Sequence, residues 1–375
     1  MTRFWVGGYG SDMDGDAEGI GFLAVDEGRG PTTLAYRGVA APVASPSWLA
    51  PHPVLDIVYA ALEGAGSVQA FARTDAATLR PLGDPVPAGE AVCHLSVSPD
   101  GRMLIASCYG DGRVVRYGLD RDGRIVPAQA DAAAALRTAL FGGDTGEDGD
   151  DGTDAARPGA GAAASDPYPV PAGEDPRSSH AHAAVFLPDG RIATTDLGFD
   201  LVRIWRPSGA GLAIDHEVAL PRGTGPRHMV LHPSGHLHVV TEYSCEVFTL
   251  ASGPDGRWDL VGATTVTPIA QIGADFPAEL ARSRDGATLY TALRGSNTLA
   301  ALRVRGSGET LEPFAVTESG VDWPRHHLVY DGTLLVSGQR SNTVAVVDLD
   351  ERTGAPRDVR HVATVPTPTQ VLPVR

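Results

Sequence analysis

Arginine, histidine and glutamate stand at the two ends of one short stretch, GTGPRHMVLHPSGHLHVVTEY (223–243). Arg227 and His228 open its first apolar run and Glu242 closes the second, with a Pro-Ser-Gly turn between the runs. A carboxylate or a neutral imidazole can take a proton from water, and an arginine fork can bind a carboxylate or phosphate group. The stretch therefore carries the parts for water activation beside an anion, if the fold brings its two ends together.

The pattern of strand, tight turn and second strand recurs along the chain. Further copies are CHLSVSPDGRMLIASCY from Cys93, HAAVFLPDGRIATTDLG from His182, AELARSRDGATLYTALRG from Ala278, RHHLVYDGTLLVSGQR from Arg325, and a degenerate WLAPHPVLDIVYAALEG from Trp48. The turn glycines Gly190, Gly235, Gly286 and Gly332 recur every 45 to 51 residues. Each copy is followed by a third apolar run. The unit is therefore a small antiparallel sheet of three or four strands.

A repeat of this length and content is typical of a β-propeller, in which neighbouring sheets cover each other's faces. Six copies are visible. The strand-like FWVGGY from Phe4 and QVLPVR from Gln370 can pair to complete a seventh sheet, which would close the ring and remove exposed edges. We predict an all-β, seven-bladed β-propeller that forms a single domain over residues 1–375, with its ring closed by the N- and C-terminal strands.

One segment, at about 131–176, interrupts the repeat and stretches the interval from Gly101 to Gly190 to nearly two periods. It is rich in Ala, Gly and Asp, and ten acidic residues and two arginines between Asp131 and Asp175 give it about half of the net charge of −16. It has too few large apolar residues to form a blade. We predict a mobile surface insertion, with one or two helical turns at 132–140, and favour a neutral insertion over a role at a site.

The repeat places many polar side chains at one edge of the ring. In a propeller the first strand of each blade lines the channel, so the start of this strand and the end of the second strand meet at the same mouth. The residues at these positions are Trp48 and Glu63; His94 and Tyr109; His180, His182 and Asp196; Arg227, His228 and Glu242; Glu279 and Arg294; and Arg325, His326 and Arg340. The other edge carries only turn residues. We therefore predict a functional site at this mouth.

Composition excludes several functions. The chain has no lysine, which rules out a lysine Schiff base and a P-loop lysine, and its net charge of −16 argues against nonspecific nucleic-acid binding. No segment has the apolar length of a membrane span, and the start does not resemble a signal peptide, so we expect a cytoplasmic protein. The three cysteines lack C-x-x-C spacing, and Cys93 and Cys108 lie in strands, where they are expected to be core residues.

No motif in the sequence indicates a metal or a cofactor. The acidic run DMDGDAEG from Asp12 resembles a calcium loop, but the required glycine is Ala17 and the required bidentate acid is Leu23. The chain also lacks G-x-S-x-G, H-E-x-x-H and a complete G-x-G-x-x-G. We expect neither a bound metal nor a cofactor.

The ordered set of motifs resembles the lactonase family of seven-bladed propellers, which includes bacterial 6-phosphogluconolactonases and fungal carboxy-muconate cyclases. The resemblance runs from WVGGYG at Trp5 to Gly354. It is carried by DPRSSHAHAAVFLPDGRIATTDLGFDLVRIW, GTGPRHMVLHPSGHLHVVTEY, PAELARSRDGATLYTALRGSNTLAALRV and WPRHHLVYDG. Each motif alone is an ordinary propeller hairpin, but the order His-Ala-His, Pro-Arg-His, Ala-Glu and Pro-Arg-His is specific.

The resemblance implies catalytic roles for His182 (or His180), Arg227, Glu242 and Arg294. Two departures lie beside these positions. Ser179 stands where the family usually has proline, and the acidic insertion before Pro176 is longer than the usual connection. They bear on substrate access and choice more than on the chemistry.

The family chemistry implies roles for the remaining mouth residues. Arg227 and Arg325 are assigned to anion binding and Arg294 to the oxyanion, with His182 or Glu242 as general base. His180, Tyr109, Asp196 and Glu279 complete the expected substrate contacts. His228 and His326 alternate to the other side of their strands, where we expect them behind the site or packed between blades.

Four functions remain open at this point. The first is a metal-independent lactone hydrolase like the 6-phosphogluconolactonases, with a small anionic lactone as partner, acting as a monomer or weak dimer. The others are a muconate-type lactonising cyclase, a divalent-metal propeller lactonase, and a noncatalytic propeller that binds a partner. The metal enzyme is disfavoured because the mouth offers few clustered Asp, Asn or Glu ligands.

Overall fold

The structure, a computed structural model, describes residues 2–26, 33–126, 165–171, 173 and 175–375. Over this part of the chain the strands form seven separate sheets, and the one helical element is a 3-10 turn at Ser11–Met13. The prediction of an all-β, seven-bladed propeller is confirmed. The helical turns expected at 132–140 lie outside the described residues. Within the described residues, no helix has the length and apolar character that crossing a bilayer requires.

Each sheet is built on four strands that follow one another from the channel outwards. They are in chain order in blades 1 to 6, whereas in blade 7 the C-terminal strand is innermost and the first three strands of the chain follow it. The innermost strands are Pro46–Pro51, Val92–Val97, Ala181–Phe186, Pro226–Leu231, Phe276–Arg282, Pro324–Tyr330 and Pro368–Pro373. The second strands are Ile57–Leu62, Met103–Cys108, Ile192–Asp196, Leu237–Thr241, Thr288–Arg294, Thr333–Gly338 and Arg3–Gly8. The third are Ser67–Arg73, Val114–Leu119, Leu201–Ser208, Glu246–Ser252, Thr298–Arg305, Thr343–Leu349 and Gly19–Asp26. The outermost are Leu79–Pro81, Ile125–Val126, Gly211–Ala219, Trp258–Thr265, Thr310–Glu318, Pro356–Thr364 and Thr33–Pro42, and Val86–Pro87 also pairs with Ser67–Arg73. We number the blades 1 to 7 in this order.

The innermost strands contact one another in a closed cycle, which makes them the wall of a central channel. Blade 7 closes the ring as predicted. Its innermost strand is Pro368–Pro373, which pairs with the N-terminal strand from Phe4↔Pro373 to Gly8↔Pro368. The two ends of the chain therefore meet at the channel.

The sequence repeat left open whether each blade has three or four strands. In the outermost strand Thr310–Glu318, exposed positions alternate with buried or half-buried ones, and the outermost strand Leu79–Pro81 has three residues. Such half-exposed edge strands carry many polar residues and resemble loops in the sequence. The core lies between blades instead, as in the cluster of Ala183, Val202, Met229, Val239 and Phe248 between blades 3 and 4.

Turns at the edge opposite the site join the first two strands of blades 1 to 6. Gly235 has φ +90° and Gly286 has φ +77°, a conformation that favours glycine. A Cβ atom on Gly286 would lie 2.7 Å from His232 Nε2. These turns send the second strand straight back towards the mouth, as the position of Glu242 requires.

Candidate active site

All seven innermost strands carry a β-bulge close to their start. In blade 4, Pro226 is opposite Thr241 and His228 is opposite Val240, so Arg227 is an extra residue without a ladder partner. The same irregularity includes Ser47, Cys93, Arg325 and Thr369, and in blades 3 and 5 it spans 182–183 and 278–279. A bulge re-aims the side chain of its extra residue. The bulges thus form a ring of side chains at one mouth of the channel.

An ion-paired cluster links blades 4 and 5 at this mouth. Arg227 Nε lies 3.0 Å and Arg294 Nη2 2.7 Å from the same oxygen, Glu242 Oε2. The three side chains are 5%, 7% and 17% exposed, in the order Arg227, Arg294, Glu242. Backbone carbonyls fix both guanidinium groups, because Arg227 Nη1 donates to Ala278 O at 2.5 Å and Arg294 Nε donates to Phe276 O at 3.0 Å. The Glu242 carboxylate is held between two cations, both fixed by the backbone of blade 5.

The contacts within this cluster shift the pKa of both arginines. Burial is the main cause that lowers the pKa of Arg227, followed by the charge of Arg294. Burial also lowers the pKa of Arg294, and the Glu242 carboxylate opposes this. Each arginine remains cationic at neutral pH, because its ordinary pKa lies far above 7.

The histidines of the His-Ala-His segment line the neighbouring part of the mouth. The His180 ring stacks on Tyr109 with centroids 4.5 Å apart, and His180 Nδ1 lies 2.6 Å from Tyr109 O. The buried His182 ring meets the edge of Tyr109 at 6.4 Å. Burial and then the charge of Arg227 lower the pKa of His182 well below its usual value, so this imidazole is neutral at physiological pH.

Asp196, predicted to contact the substrate, lies instead inside the protein. It is completely buried, and its carboxylate accepts hydrogen bonds from Arg203 Nη1 at 2.6 Å and from the backbone N–H of His180 at 2.9 Å. The hydroxyl of Ser179, the residue that replaces the family's usual proline, also donates to it. Asp196 therefore fixes the histidine segment and has no surface for a substrate.

The strand register corrects two positions at the mouth. Because Asp196 pairs with Ala181 inside the sheet, the residue of blade 3 that is equivalent to Glu242 is Leu197, which is buried. In blade 6, Gly338 pairs with Pro324, so the corresponding residue is Gln339 in place of Arg340. Arg340 stacks instead on the Trp323 ring at 3.5 Å, and Arg294 lies over the same ring at 5.4 Å.

Arg325 marks a second part of the mouth, formed by blades 6, 7 and 1. Its guanidinium lies 5.0 Å from the centre of the Tyr9 ring, and Nη1 donates to Gln339 Oε1 at 3.3 Å. The Tyr9 hydroxyl donates to both oxygens of Glu63, at 3.0 and 3.1 Å. No carboxylate among the described residues lies within 4.0 Å of Arg325.

Tyr9 was missed in the sequence, and the reason is topological. It follows the second strand of blade 7, the position that Glu242 has in blade 4. Because blade 7 is split between the two ends of the chain, its hairpin does not read as a continuous repeat. Aligning FWVGGY with the second strands of the other blades would have placed Tyr9 at the mouth.

A layer of aromatic rings fills the channel beneath the mouth. Trp48 from blade 1 contacts His94 at 4.5 Å, His228 at 5.7 Å and His326 at 5.6 Å between ring centroids. His228 and His326 therefore lie in the channel, behind the bulged arginines, and not between blades. Glu279, predicted as a substrate contact, is buried in this layer, with Oε1 3.5 Å from His228 Nδ1. Burial raises the pKa of Glu279 to about 8.

The described residues contain no group of three or more His, Cys, Asp or Glu side chains arranged to hold a metal ion. All three cysteines are unpaired and buried. Burial raises the pKa of the Cys93 thiol to about 12 and raises the pKa of Cys108 as well, which makes both poor nucleophiles. The chemistry available at the mouth is that of arginine, carboxylate and neutral imidazole.

Comparison with known proteins gives a consistent assignment. The family described as "Lactonase, 7-bladed beta-propeller" matches residues 3–373. The 6-phosphogluconolactonase of Bacillus subtilis (strain 168) is 25% identical, with 99% of this chain and 98% of the relative covered. Among solved structures, a Lactobacillus plantarum protein has a TM-score of 0.79 at 23% identity with both chains fully covered. The periplasmic gluconolactonase of Pseudomonas aeruginosa has a TM-score of 0.76 at 21% identity, covering 100% of this chain and 99% of that one.

Proposed function

Because the chain belongs to the lactonase family of seven-bladed β-propellers, we propose that it hydrolyses the lactone of an anionic sugar acid, such as 6-phosphogluconolactone. The similarity to the Bacillus subtilis 6-phosphogluconolactonase favours a phosphorylated sugar lactone. In this proposal Glu242 is the general base, Arg294 stabilises the oxyanion and Arg325 binds the anionic group of the substrate.

The charge of the mouth is the observation that supports an anionic substrate. Three arginines, Arg227, Arg294 and Arg325, face two carboxylates, Glu242 and Glu63, which leaves one positive charge in excess on a chain of net charge −16. Arg325 differs from Arg227 and Arg294, which contact Glu242 directly, because its guanidinium has no such ion pair within 4.0 Å among the described residues and interacts with Glu63 and Glu242 only from further away. A desolvated guanidinium of this kind is a binding site for a phosphate or carboxylate.

The proposed reaction uses the two carboxylate oxygens of Glu242 differently. Both arginines make their closest contact with Oε2, and we assign the other oxygen, Oε1, to the attacking water. Water adds to the lactone carbonyl as Glu242 takes its proton, and the negative charge on the carbonyl oxygen is held by Arg294. The ring C–O bond then breaks, and the proton passes from Glu242 to the ring oxygen. The product is the open hydroxy acid.

His182 and Arg227 support this step. Since the pKa of His182 is held well below its usual value, the imidazole stays neutral, and one of its ring nitrogens can exchange a hydrogen bond with the water. Arg227 is fixed between Glu242 and Ala278 O, so we assign it to holding the base.

Assay of the purified protein on a panel of lactones, with and without a chelator, tests the proposal. We expect hydrolysis of phosphorylated or carboxylated sugar lactones that a chelator does not reduce. Loss of turnover with chelator would support a metal enzyme, and lactone formation from a muconate would support the cyclase. No turnover on any substrate of the panel would support a binding module.

Arg325→Met is expected to weaken binding of an anionic lactone. A hydrogen bond to a charged group contributes about 1.5–3 kcal/mol, which corresponds to a rise in KM of roughly 10- to 100-fold. Steady-state kinetics on 6-phosphogluconolactone and on the uncharged gluconolactone provide the check. The uncharged lactone is the control and should keep its KM. Equal changes for both lactones would show that Arg325 does not bind the anionic group.

A further inference from the structure

Asp200 holds the loop that leads to Arg227. It lies in the turn between the second and third strands of blade 3, and it is 1% exposed. Its carboxylate accepts hydrogen bonds from the backbone N–H groups of Gly223 and Gly225, both at 2.8 Å, and from the Thr224 hydroxyl at 3.3 Å. One buried carboxylate thus fixes three successive residues just before the bulge of blade 4.

The same loop fixes the backbone of Glu242. Gly225 O accepts a hydrogen bond from Glu242 N at 2.8 Å, and Thr224 O accepts one from Tyr243 N at 3.0 Å. Gly225 has φ +66°, and a Cβ atom there would lie 2.6 Å from the Tyr243 ring. Arg227 follows the loop in sequence and Glu242 is hydrogen-bonded to it, so any shift of the loop moves both partners of the ion pair.

Arg177 connects this loop to the described end of the acidic segment. Its Nη1 donates to Asp200, while Nε donates to Asp166 Oδ2 at 2.9 Å and Nη2 to Oδ1 at 2.5 Å. Its guanidinium also lies 5.4 Å from the centre of the Tyr168 ring, and the Tyr168 hydroxyl donates to Leu220 O. The pKa of Asp166 is held below its ordinary value mainly by the hydrogen bonds from Arg177. The segment that we expected to be a neutral insertion is bonded at this end to the turn that holds the site loop.

We infer that Arg177 and Asp200 are positioning residues that set the geometry of the Arg227–Glu242 pair, through the loop 223–225. The expected effect on kcat rests on the proposed function, whereas the expected effect on the position of the loop does not. Without the Arg177 guanidinium, the buried Asp200 carboxylate loses its charged partner and draws in water or shifts, and the loop follows. Displacement of a reacting group by about 1 Å can lower a rate by roughly 10²-fold.

Arg177→Met tests the inference, with Arg73→Met as the matched control. Arg73 pairs with Asp56 on blade 1 and is 23% exposed, close to the 21% of Arg177. We expect Arg177→Met to lower kcat by about 10- to 100-fold with little change in KM, and Arg177→Lys to restore part of it. We also expect faster hydrogen exchange at the Glu242 amide, which donates to Gly225 O. The control should change neither quantity.

A double-mutant cycle with Glu242→Gln separates positioning from general damage. If Arg177 acts through Glu242, its substitution has little further effect on the residual kcat of Glu242→Gln. Additive effects, or an unchanged exchange rate at Glu242, would overturn the inference. If the wild-type protein hydrolyses no lactone, the proposed function fails, while the exchange at Glu242 still decides whether Arg177 holds the loop.

Discussion

Glu242→Gln is expected to lower kcat for lactone hydrolysis by about 10²- to 10⁴-fold, the range that a general base contributes. Glutamine has the same size and can still accept hydrogen bonds from Arg227 and Arg294, which lie 3.0 and 2.7 Å from the carboxylate. It cannot take a proton from water. The loss should therefore fall on kcat, while KM changes less. Steady-state kinetics on the lactone that gives the highest rate in the panel provide the measurement.

Glu246→Gln is the matched control for this variant. Glu246 is a half-buried glutamate four residues further on, at the start of the third strand of the same blade. We expect it to retain wild-type kinetics. Circular dichroism of both variants checks that the fold is kept, because the neutral amide leaves two buried arginines without a counter-charge. Full activity of Glu242→Gln would remove the base assignment and leave His182 as the remaining candidate.

Acidification to pH 5.5 is expected to destabilise the protein strongly, because the folded protein buries many neutral histidines. Burial lowers the pKa of six of them: His94, His182, His228, His238, His326 and His327. In the unfolded chain each would take up a proton near pH 6.5, and in the native state it does not. The unfolded state therefore binds more protons, and stability falls as the pH drops below 6.5.

The size of this effect follows from proton counting. Each histidine contributes a loss of up to about 1.4 kcal/mol per pH unit below 6.5, and Glu279, whose pKa is raised to about 8, opposes this with a gain of the same size. Six histidines outweigh one glutamate, so the free energy of unfolding should fall by on the order of 5 kcal/mol between pH 7 and 5.5. A typical total is about 5–15 kcal/mol.

Urea unfolding at pH 7.5, 6.5 and 5.5, followed by circular dichroism, measures this loss. His238→Asn removes one of these six histidines. His238 lies at the edge away from the mouth, where its ring contacts those of His232 and His236. This variant should show a pH dependence that is shallower by about one proton. A urea midpoint that stays constant down to pH 5.5 would contradict the prediction.

The ring and the location of the site could be predicted because both depend on patterns that repeat in the chain. The turn glycines gave the period, and the antiparallel run of the hairpin strands placed Arg227, Glu242 and Arg294 at one mouth, where they form a single cluster. The direct ion pairs of this cluster could not be derived, because the ladder pairing alone does not show that each inner strand contains an extra residue. A one-residue shift of that kind changes which side chain faces the mouth.

Asp196 shows what the pattern leaves out. Its sequence position at the end of a second strand is equivalent to that of a mouth residue, but a buried partner, Arg203, lies on the neighbouring third strand of the same sheet. Only a three-dimensional structure reveals that pair. The contribution of Arg177 is hidden for a similar reason, since it depends on contacts between a segment of low complexity and the turn of blade 3.

The seven bulges give the mouth a modular character. The side chain at each bulge takes no part in the ladder, so the backbone pairing of the sheet does not depend on its chemical type. Ser47, Cys93 and Thr369 are almost fully buried and leave room only for side chains of similar size. The bulges of blades 4 and 6 carry the arginines Arg227 and Arg325, while those of blades 1 and 7 carry the hydroxyls of Ser47 and Thr369. The architecture thus separates the chemistry of the mouth from maintenance of the scaffold, because the charge that a bulge carries, as at Arg227 and Arg325, lies outside the backbone pairing that holds the blade.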